Sequence, residues 1–111
     1  ISGIGQKIIS AYAYWHSIAR HIPKMQRYSL GIKIDVLFAD IIELVSMAQF
    51  SPKEERSRII SKAITKNDVL KHLLYVLLEL KGIQETYFIE LAQRTEEIGR
   101  MLYGWKNQVK P

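Results

Sequence analysis

The sequence predicts an all-α protein, an antiparallel up-down-up-down four-helix bundle. Proline occurs only at positions 23, 52 and 111, and the two internal prolines divide the chain into segments with a helical repeat of apolar residues. No segment of the sequence shows the apolar and polar alternation of a half-buried strand. Short connections between four such helices favour antiparallel neighbours.

Length and composition limit the class of protein. The 111 residues predict a single domain over 1–111. They contain no cysteine, which excludes disulfides and thiolate ligands and is compatible with the cytoplasmic location that we expect. The longest apolar run, Leu73 to Leu78, is far shorter than the roughly 20 residues of a membrane span, so we expect a soluble protein. The residues from Ile1 onward predict no export signal.

The first two predicted helices span about 4–21 and 28–49. Pro23 ends the first because proline disfavours helical backbone at the residue before it. The first stripe consists of Ile8, Tyr12, Trp15, Ala19 and Ile22. The second seam consists of Leu30, Ile34, Leu37, Ile41, Leu44 and Ala48, widened by Phe38, Ile42 and Val45. This surface exceeds what one neighbouring helix covers, which favours self-association.

The third predicted helix spans about 52–80. Ser51 is predicted as its N-cap, with Pro52 at the first helical position and Glu54 closing a capping box. Its first half carries cations four residues apart on one side, whereas Val69 to Leu80 is apolar almost all round. We therefore expect the second half to be buried by more than its own bundle.

The fourth predicted helix spans about 85–109, after Gly82 as a left-handed C-terminal cap. Its seam consists of Phe88, Leu91, Thr95, Ile98, Leu102, Trp105 and Val109. Gly99 and Gly104 lie inside it, and because glycine costs a helix about 1 kcal/mol, they predict the close approach of another backbone. The spacing of Glu90 and Arg94, and of Glu96 and Arg100, predicts two ion pairs along the helix.

Motifs for catalysis or metal binding are missing from the sequence. None of its eight glutamates is followed three residues later by the histidine that a di-iron bundle requires. Asp68 and His72 have the spacing of a structural hydrogen-bonded pair or, as the less favoured alternative, a proton-transfer dyad. Asn67 or Asp68 is predicted to be partly buried and hydrogen-bonded to another helix. Asp35, Asp40 and Glu43 are predicted to be solvated or paired with Lys33 and its neighbours. We expect no enzyme, no metal and no cofactor.

Basic residues are the one functional class that clusters. The net charge of +5 is compatible with a polyanionic partner, and a solvated helix face is the alternative for the third helix. Tyr28, Tyr103 and Trp105 are candidates for stacking on bases, although core packing is favoured for Trp105. The candidate contacts to nucleic acid or a partner are Lys24, Arg27, Lys33, Arg56, Arg58, Lys62, Lys66, Lys71, Arg100 and Lys106.

Several of these segments together resemble a known family over almost the whole chain. They are Trp15-His16, Pro23-Lys24, Arg27-Tyr28-Ser29-Leu30-Gly31, Lys33-Ile34-Asp35, Asp68-Val69-Leu70-Lys71, Glu97-Ile98-Gly99-Arg100-Met101-Leu102 and Gly104-Trp105. The chain resembles the four-helix-bundle family of the accessory variability determinant (Avd) of diversity-generating retroelements and of the proteins encoded in ribosomal-RNA intervening sequences.

The resemblance implies a non-enzymatic homopentamer. In retroelements such a protein binds the reverse transcriptase and nucleic acid, RNA or an RNA/DNA template, during mutagenic retrohoming, with no membrane partner. The alternative is an intervening-sequence protein that associates with ribosomal RNA or has an unknown role. A reverse-transcriptase gene and a template repeat near this gene would favour the first expectation, and an open reading frame inside a ribosomal-RNA gene the second.

Overall fold

Four long helices and one short helix make up the described chain, residues 2–109 of a computed structural model. They are α1 (Gly3–Ala19), α2 (Lys24–Arg27), α3 (Leu30–Phe50), α4 (Lys53–Glu79) and α5 (Glu85–Gln108). The bounds of the long helices lie within two residues of those predicted, and the described residues contain no strand. Ile1, Lys110 and Pro111 of the predicted 1–111 domain lie outside the described range.

The four long helices surround one core inside a shape of 45 × 22 × 21 Å. The most extensive packing joins α3 to α4 and α4 to α5, and α1 contacts both α5 and α3. Residues of the predicted seams supply this core. In α3, Ile34, Phe38 and Ile41 are fully buried. Loss of one such side chain to alanine is expected to cost about 2–5 kcal/mol.

The connection between α1 and α3 contains the short helix α2, which the sequence analysis did not predict. The Arg27 side chain folds back over the α1 end: its Nε and Nη2 atoms donate to the Ile22 carbonyl at 3.1 and 3.0 Å, and Nη2 also donates to the Arg20 carbonyl at 3.3 Å. These bonds satisfy carbonyls that the end of α1 leaves without helical partners. The helix predicted to start at 28 therefore begins at Leu30.

The capping box predicted at Ser51 is wrong. Pro52, with φ of −59° and ψ of 152°, is the N-cap of α4, and no side chain caps that end. The Ser51 hydroxyl instead donates to the Met47 carbonyl at 2.6 Å, so it satisfies the end of α3. Arg56 fastens the same junction by donating to the Ala48 and Ser51 carbonyls, each at 2.9 Å.

The left-handed residue after α4 is Lys81, with φ of 59°, and not Gly82 as predicted. The Gly82 and Lys81 amides donate to the Leu77 and Leu78 carbonyls at 2.8 and 2.9 Å, which completes a Schellman motif with Lys81 at its left-handed position. Gly82 is required for space, because a Cβ atom there would lie 2.5 Å from Leu77 Cδ1.

The two glycines of α5 do not contact another backbone within the described chain, which corrects their interpretation. A Cβ atom on Gly99 would meet the Asn67 side-chain nitrogen at 3.3 Å, and one on Gly104 would meet nothing within 4 Å. Of the two residues predicted to be partly buried, Asn67 is fully buried and Asp68 is exposed. The Asn67 Nδ2 atom donates to the Thr95 carbonyl at 3.0 Å. This polar contact fixes how α4 and α5 align along their lengths.

No helix within residues 2–109 combines the length and the apolar content that crossing a membrane requires.

Candidate nucleic-acid and partner interface

The solvent face of α4 carries its exposed cations near the N-terminal end. Arg58 and Lys62 are both exposed and lie one helical turn apart, about 6 Å along the axis. Thr65 and Val69 continue the same exposed row. Neither cation forms an ion pair among residues 2–109, so both can contact an external anion.

Lys66 and Lys71, predicted to extend this row, are instead paired with neighbouring helices. Lys66 Nζ lies 3.1 Å from Asp40 Oδ2 on α3, and Lys71 Nζ lies 2.8 Å from Glu96 Oε2 on α5. A row of residues spaced four apart rotates around a helix, which brings Lys66 to the flank facing α3. The cationic face is therefore shorter than predicted.

The ion pair with Lys71 changes the pKa of Glu96. The hydrogen bond from Lys71 lowers the pKa of Glu96 below its ordinary value, and the charges of Lys71 and Arg100 lower it further. Arg100 itself does not form the predicted ion pair with Glu96, whereas Arg94 does pair with Glu90, its Nε lying 2.7 Å from Oε2. Arg100 remains exposed on α5.

The other candidate cations divide into structural and exposed residues. Arg27 and Arg56 bind backbone carbonyls at helix junctions, so their first role is to hold those junctions. Lys24 and Lys33 are exposed near α2, while Lys106 is half-buried near the C-terminal end of α5. Trp105 packs against the core, in agreement with the favoured prediction.

A shallow groove of about 240 Å³ lies where α1, α2 and α3 meet. Tyr28 and Arg27 line one part of it, and Ile32, Val36 and Asp35 line another. The Tyr28 side chain is 65% exposed. The Arg27 guanidinium carbon lies 5.9 Å from the centroid of this ring, within the range of a cation–π contact.

Asp35 belongs to a polar cluster between α1 and α3 that the sequence analysis missed. Its carboxylate accepts a hydrogen bond from the Tyr12 hydroxyl at 3.0 Å and lies 3.3 Å from His16 Nε2. Burial and the Asp35 carboxylate together raise the pKa of Tyr12. Tyr12 and His16 are four residues apart on one face of α1, and this spacing is the signal that could have predicted the cluster.

The outward face of α3 is apolar toward both of its ends. Ile32, Val36, Met47 and Phe50 are exposed there, with Phe50 at 87%, and the exposed residues between Val36 and Met47 are Ala39, Glu43 and Ser46. Beside it, Ile9 and Ile42 help to line a cavity of about 150 Å³ between α1 and α3. Large adjoining apolar areas of this kind mark surfaces that bind other proteins.

The C-terminal half of α4 also presents apolar side chains to solvent. Val69, Val76 and Leu80 are exposed by 43%, 39% and 55%, although Leu70, Leu74 and Leu77 are buried in the core. Its own bundle therefore leaves part of this half uncovered.

Asp68 and His72, the pair predicted on α4, are both exposed. His72 Nδ1 lies 3.2 Å from the Asp68 backbone carbonyl, so this pair interacts through the backbone and not through the carboxylate. Within the described part of the chain, no three side chains of the metal-binding types converge. No protein-family model matches the chain, and no curated protein matches it either.

Proposed function

We propose that this chain is a non-enzymatic, cytoplasmic accessory protein that assembles with copies of itself and binds nucleic acid and a reverse transcriptase, as in a diversity-generating retroelement. One observation carries the proposal: the outward surface presents exposed apolar side chains on α3 and, in the N-terminal half of α4, the exposed cations Arg58 and Lys62. Exposed carboxylates in this half are confined to the first turn, at Glu54 and Glu55. The apolar side chains suit a protein contact, and the cations suit a phosphate backbone.

The proposed arrangement of the helices is an antiparallel up-down-up-down bundle. Residues 51–52 alone separate α3 from α4, and residues 80–84 separate α4 from α5. Connections this short favour reversal of the chain between helices that pack together. The antiparallel bundle in turn brings both surfaces to the outside of each protomer.

The α3 residues beyond the Tyr28 groove, Ala39, Met47 and Phe50, are proposed to contact a second copy in a homopentamer. Transfer of apolar surface out of water is favourable by roughly 25 cal/mol per Å², and Met47 and Phe50 are 47% and 87% exposed in one protomer. Glu43 lies on the same stripe, one turn from Ala39 and one turn from Met47, so its carboxylate must stay solvated or be paired across the contact.

Assembly would repeat the weak cationic site. Arg58 and Lys62 supply two positive charges in each protomer, and copies held together engage one long polyanion with much higher avidity than one copy does. Neutralised phosphates release counterions, so the affinity should fall steeply with salt. The reverse transcriptase is proposed to contact the exposed apolar C-terminal half of α4, beside the bound nucleic acid.

The test measures molar mass by light scattering, with and without a structured RNA, in low and high salt. A pentamer that binds RNA in low salt and releases it in high salt supports the proposal. A pentamer that ignores RNA contradicts the nucleic-acid role, and a monomer contradicts the assembly.

Two matched double variants locate the contact. R58E/K62E should weaken RNA binding at least tenfold, measured by fluorescence anisotropy. K7E/K81E makes the same change in net charge at exposed lysines of α1 and of the α4–α5 connection and should weaken binding less than threefold. Equal losses in the two variants would contradict a specific site on α4.

A further inference from the structure

We propose that the groove at the α1–α2–α3 junction binds a single unpaired base, with Tyr28 as the stacking surface. This inference rests on the proposed nucleic-acid role and adds to it a substrate class, single-stranded nucleic acid. It is argued from the fixed geometry of Arg27, the exposure of Tyr28 and the shape and charge of the groove.

The Tyr28 ring is supported on one side by a guanidinium that cannot move freely. Three hydrogen bonds from Arg27 to the Ile22 and Arg20 carbonyls, between 3.0 and 3.3 Å, hold that guanidinium in place. The centroid of the Tyr28 ring lies 5.9 Å from the carbon of this fixed guanidinium, and the residue as a whole is still 65% exposed. A base stacked on the open part of the Tyr28 ring would be the third planar group, after the Arg27 guanidinium and the ring itself.

The groove next to Tyr28 has the size and lining for one base. Its volume of about 240 Å³ is several times the ~30 Å³ that one water molecule occupies, which leaves room for a small planar ring. Ile32 and Val36 offer apolar contact to the ring of a base. Asp35, whose carboxylate accepts from Tyr12, lies at the same groove and has acceptor capacity left for an exocyclic amino group.

Cations around the groove suit the phosphates on either side of such a base. Arg20 and Lys24 are exposed on the two sides of the chain segment that Arg27 fastens, and neither forms an ion pair among the described residues 2–109. Together with Arg27 they carry three positive charges, against one negative charge on Asp35. Backbone contact and base stacking together are the usual basis of single-strand binding.

A duplex is not expected to use this site. Bases within a duplex are stacked on one another, and an aromatic side chain reaches their faces only where the strand is unpaired. The groove is therefore expected to bind single strands and not duplexes, whereas Arg58 and Lys62 are expected to contact phosphates in either form. This difference allows the two sites to be tested independently.

The experiment compares binding of a labelled 12-nucleotide oligocytidine RNA and a 12-base-pair RNA duplex to the full chain by fluorescence anisotropy, at one fixed salt concentration. Tyr28→Ala should weaken single-strand binding roughly 5- to 150-fold, the range expected for loss of one stacked base, and should change duplex binding less than twofold. Tyr28→Trp should preserve single-strand binding, because it keeps an aromatic face.

Tyr75→Ala is the matched control, since Tyr75 is a 53% exposed tyrosine on α4 that lies near the Glu79 carboxylate and away from the groove. It should leave both affinities unchanged. Unaltered single-strand binding in Tyr28→Ala, or an equal loss for the duplex, would overturn the stacking site while the R58E/K62E result still supports the proposed function. A wild-type chain that binds neither RNA would overturn both proposals.

Discussion

The solvent face of α4 changes character near its middle, whereas the outward face of α3 does not. On α4, Arg58 and Lys62 give way to Val69, Val76 and Leu80, while α3 presents apolar side chains from Ile32 to Phe50. A face that is apolar toward both ends, with Glu43 between them, is most readily covered by another protein. A face that is cationic at one end only can bind a polyanion there and leave its other end for a protein.

The largest expected effect comes from placing a charge in the apolar α3 face. Met47→Glu would bury an unpaired carboxylate in the proposed contact, which should weaken association of the copies by several kcal/mol and leave monomers at micromolar concentration. Analytical ultracentrifugation measures the change. Gln93→Glu, on the exposed face of α5, is the control and should leave the assembly intact.

The second prediction extends the cationic end of α4 toward its apolar end. Thr65→Lys adds a third positive charge to the exposed row of Arg58 and Lys62 and should tighten RNA binding several-fold. The slope of log affinity against log salt should steepen by roughly 0.7 to 0.9 for each added phosphate contact. Gln93→Lys adds the same charge on α5, and an equal gain there would show that net charge alone decides binding.

The third prediction concerns the two glycines of α5. A Cβ atom on Gly104 meets nothing within 4 Å, so Gly104→Ala should raise the free energy of unfolding by about 1 kcal/mol, as alanine does inside a helix. Gly99→Ala should gain less, because its Cβ would press on Asn67 Nδ2 at 3.3 Å. Urea denaturation compares the two. A loss of assembly in Gly104→Ala would extend the protein contact to α5.

The smallest expected effect concerns the pair that removes Lys71 from the cationic face. Because Lys71 lowers the pKa of Glu96 in the folded protein, the pair stabilises the fold above the ordinary pKa of 4.5, and this contribution is lost as the pH falls through the lowered value. Glu96→Gln should therefore reduce the dependence of stability on pH below 4.5. Thermal melts at several pH values measure it, and an unchanged pH dependence would contradict the pairing.

Periodicity predicted the helices and most of the core. Leu91, Ile98 and Leu102 of the α5 seam are buried as expected, because a repeat of three and four residues selects one face of a helix. The helix ends were harder to predict. Ser51 and Glu54 match a capping pattern, but the hydroxyl of Ser51 bonds to the preceding helix instead, and sequence alone does not show which helix end attracts it.

The sequence predicted which cations belong to the candidate surface, but it did not predict which of them form ion pairs. Lys66 follows Lys62 by four residues, as Lys62 follows Arg58, and Lys71 lies further along the same helix. Both Lys66 and Lys71 are nevertheless paired, because Asp40 and Glu96 lie opposite them on other helices. Those partners are 26 and 25 residues away along the chain, so only the packing of the helices reveals them. The groove at Tyr28 depends in the same way on Arg27 reaching the carbonyls of the preceding helix.

Light-scattering mass for Met47→Glu and for R58E/K62E, each with and without RNA in low salt, tests directly whether the two surfaces have separate roles. The predicted result is that Met47→Glu is monomeric and still binds RNA weakly, whereas R58E/K62E keeps the assembled mass and takes up much less RNA. Loss of both properties in either variant, or of neither property in both, would contradict the division of the surface.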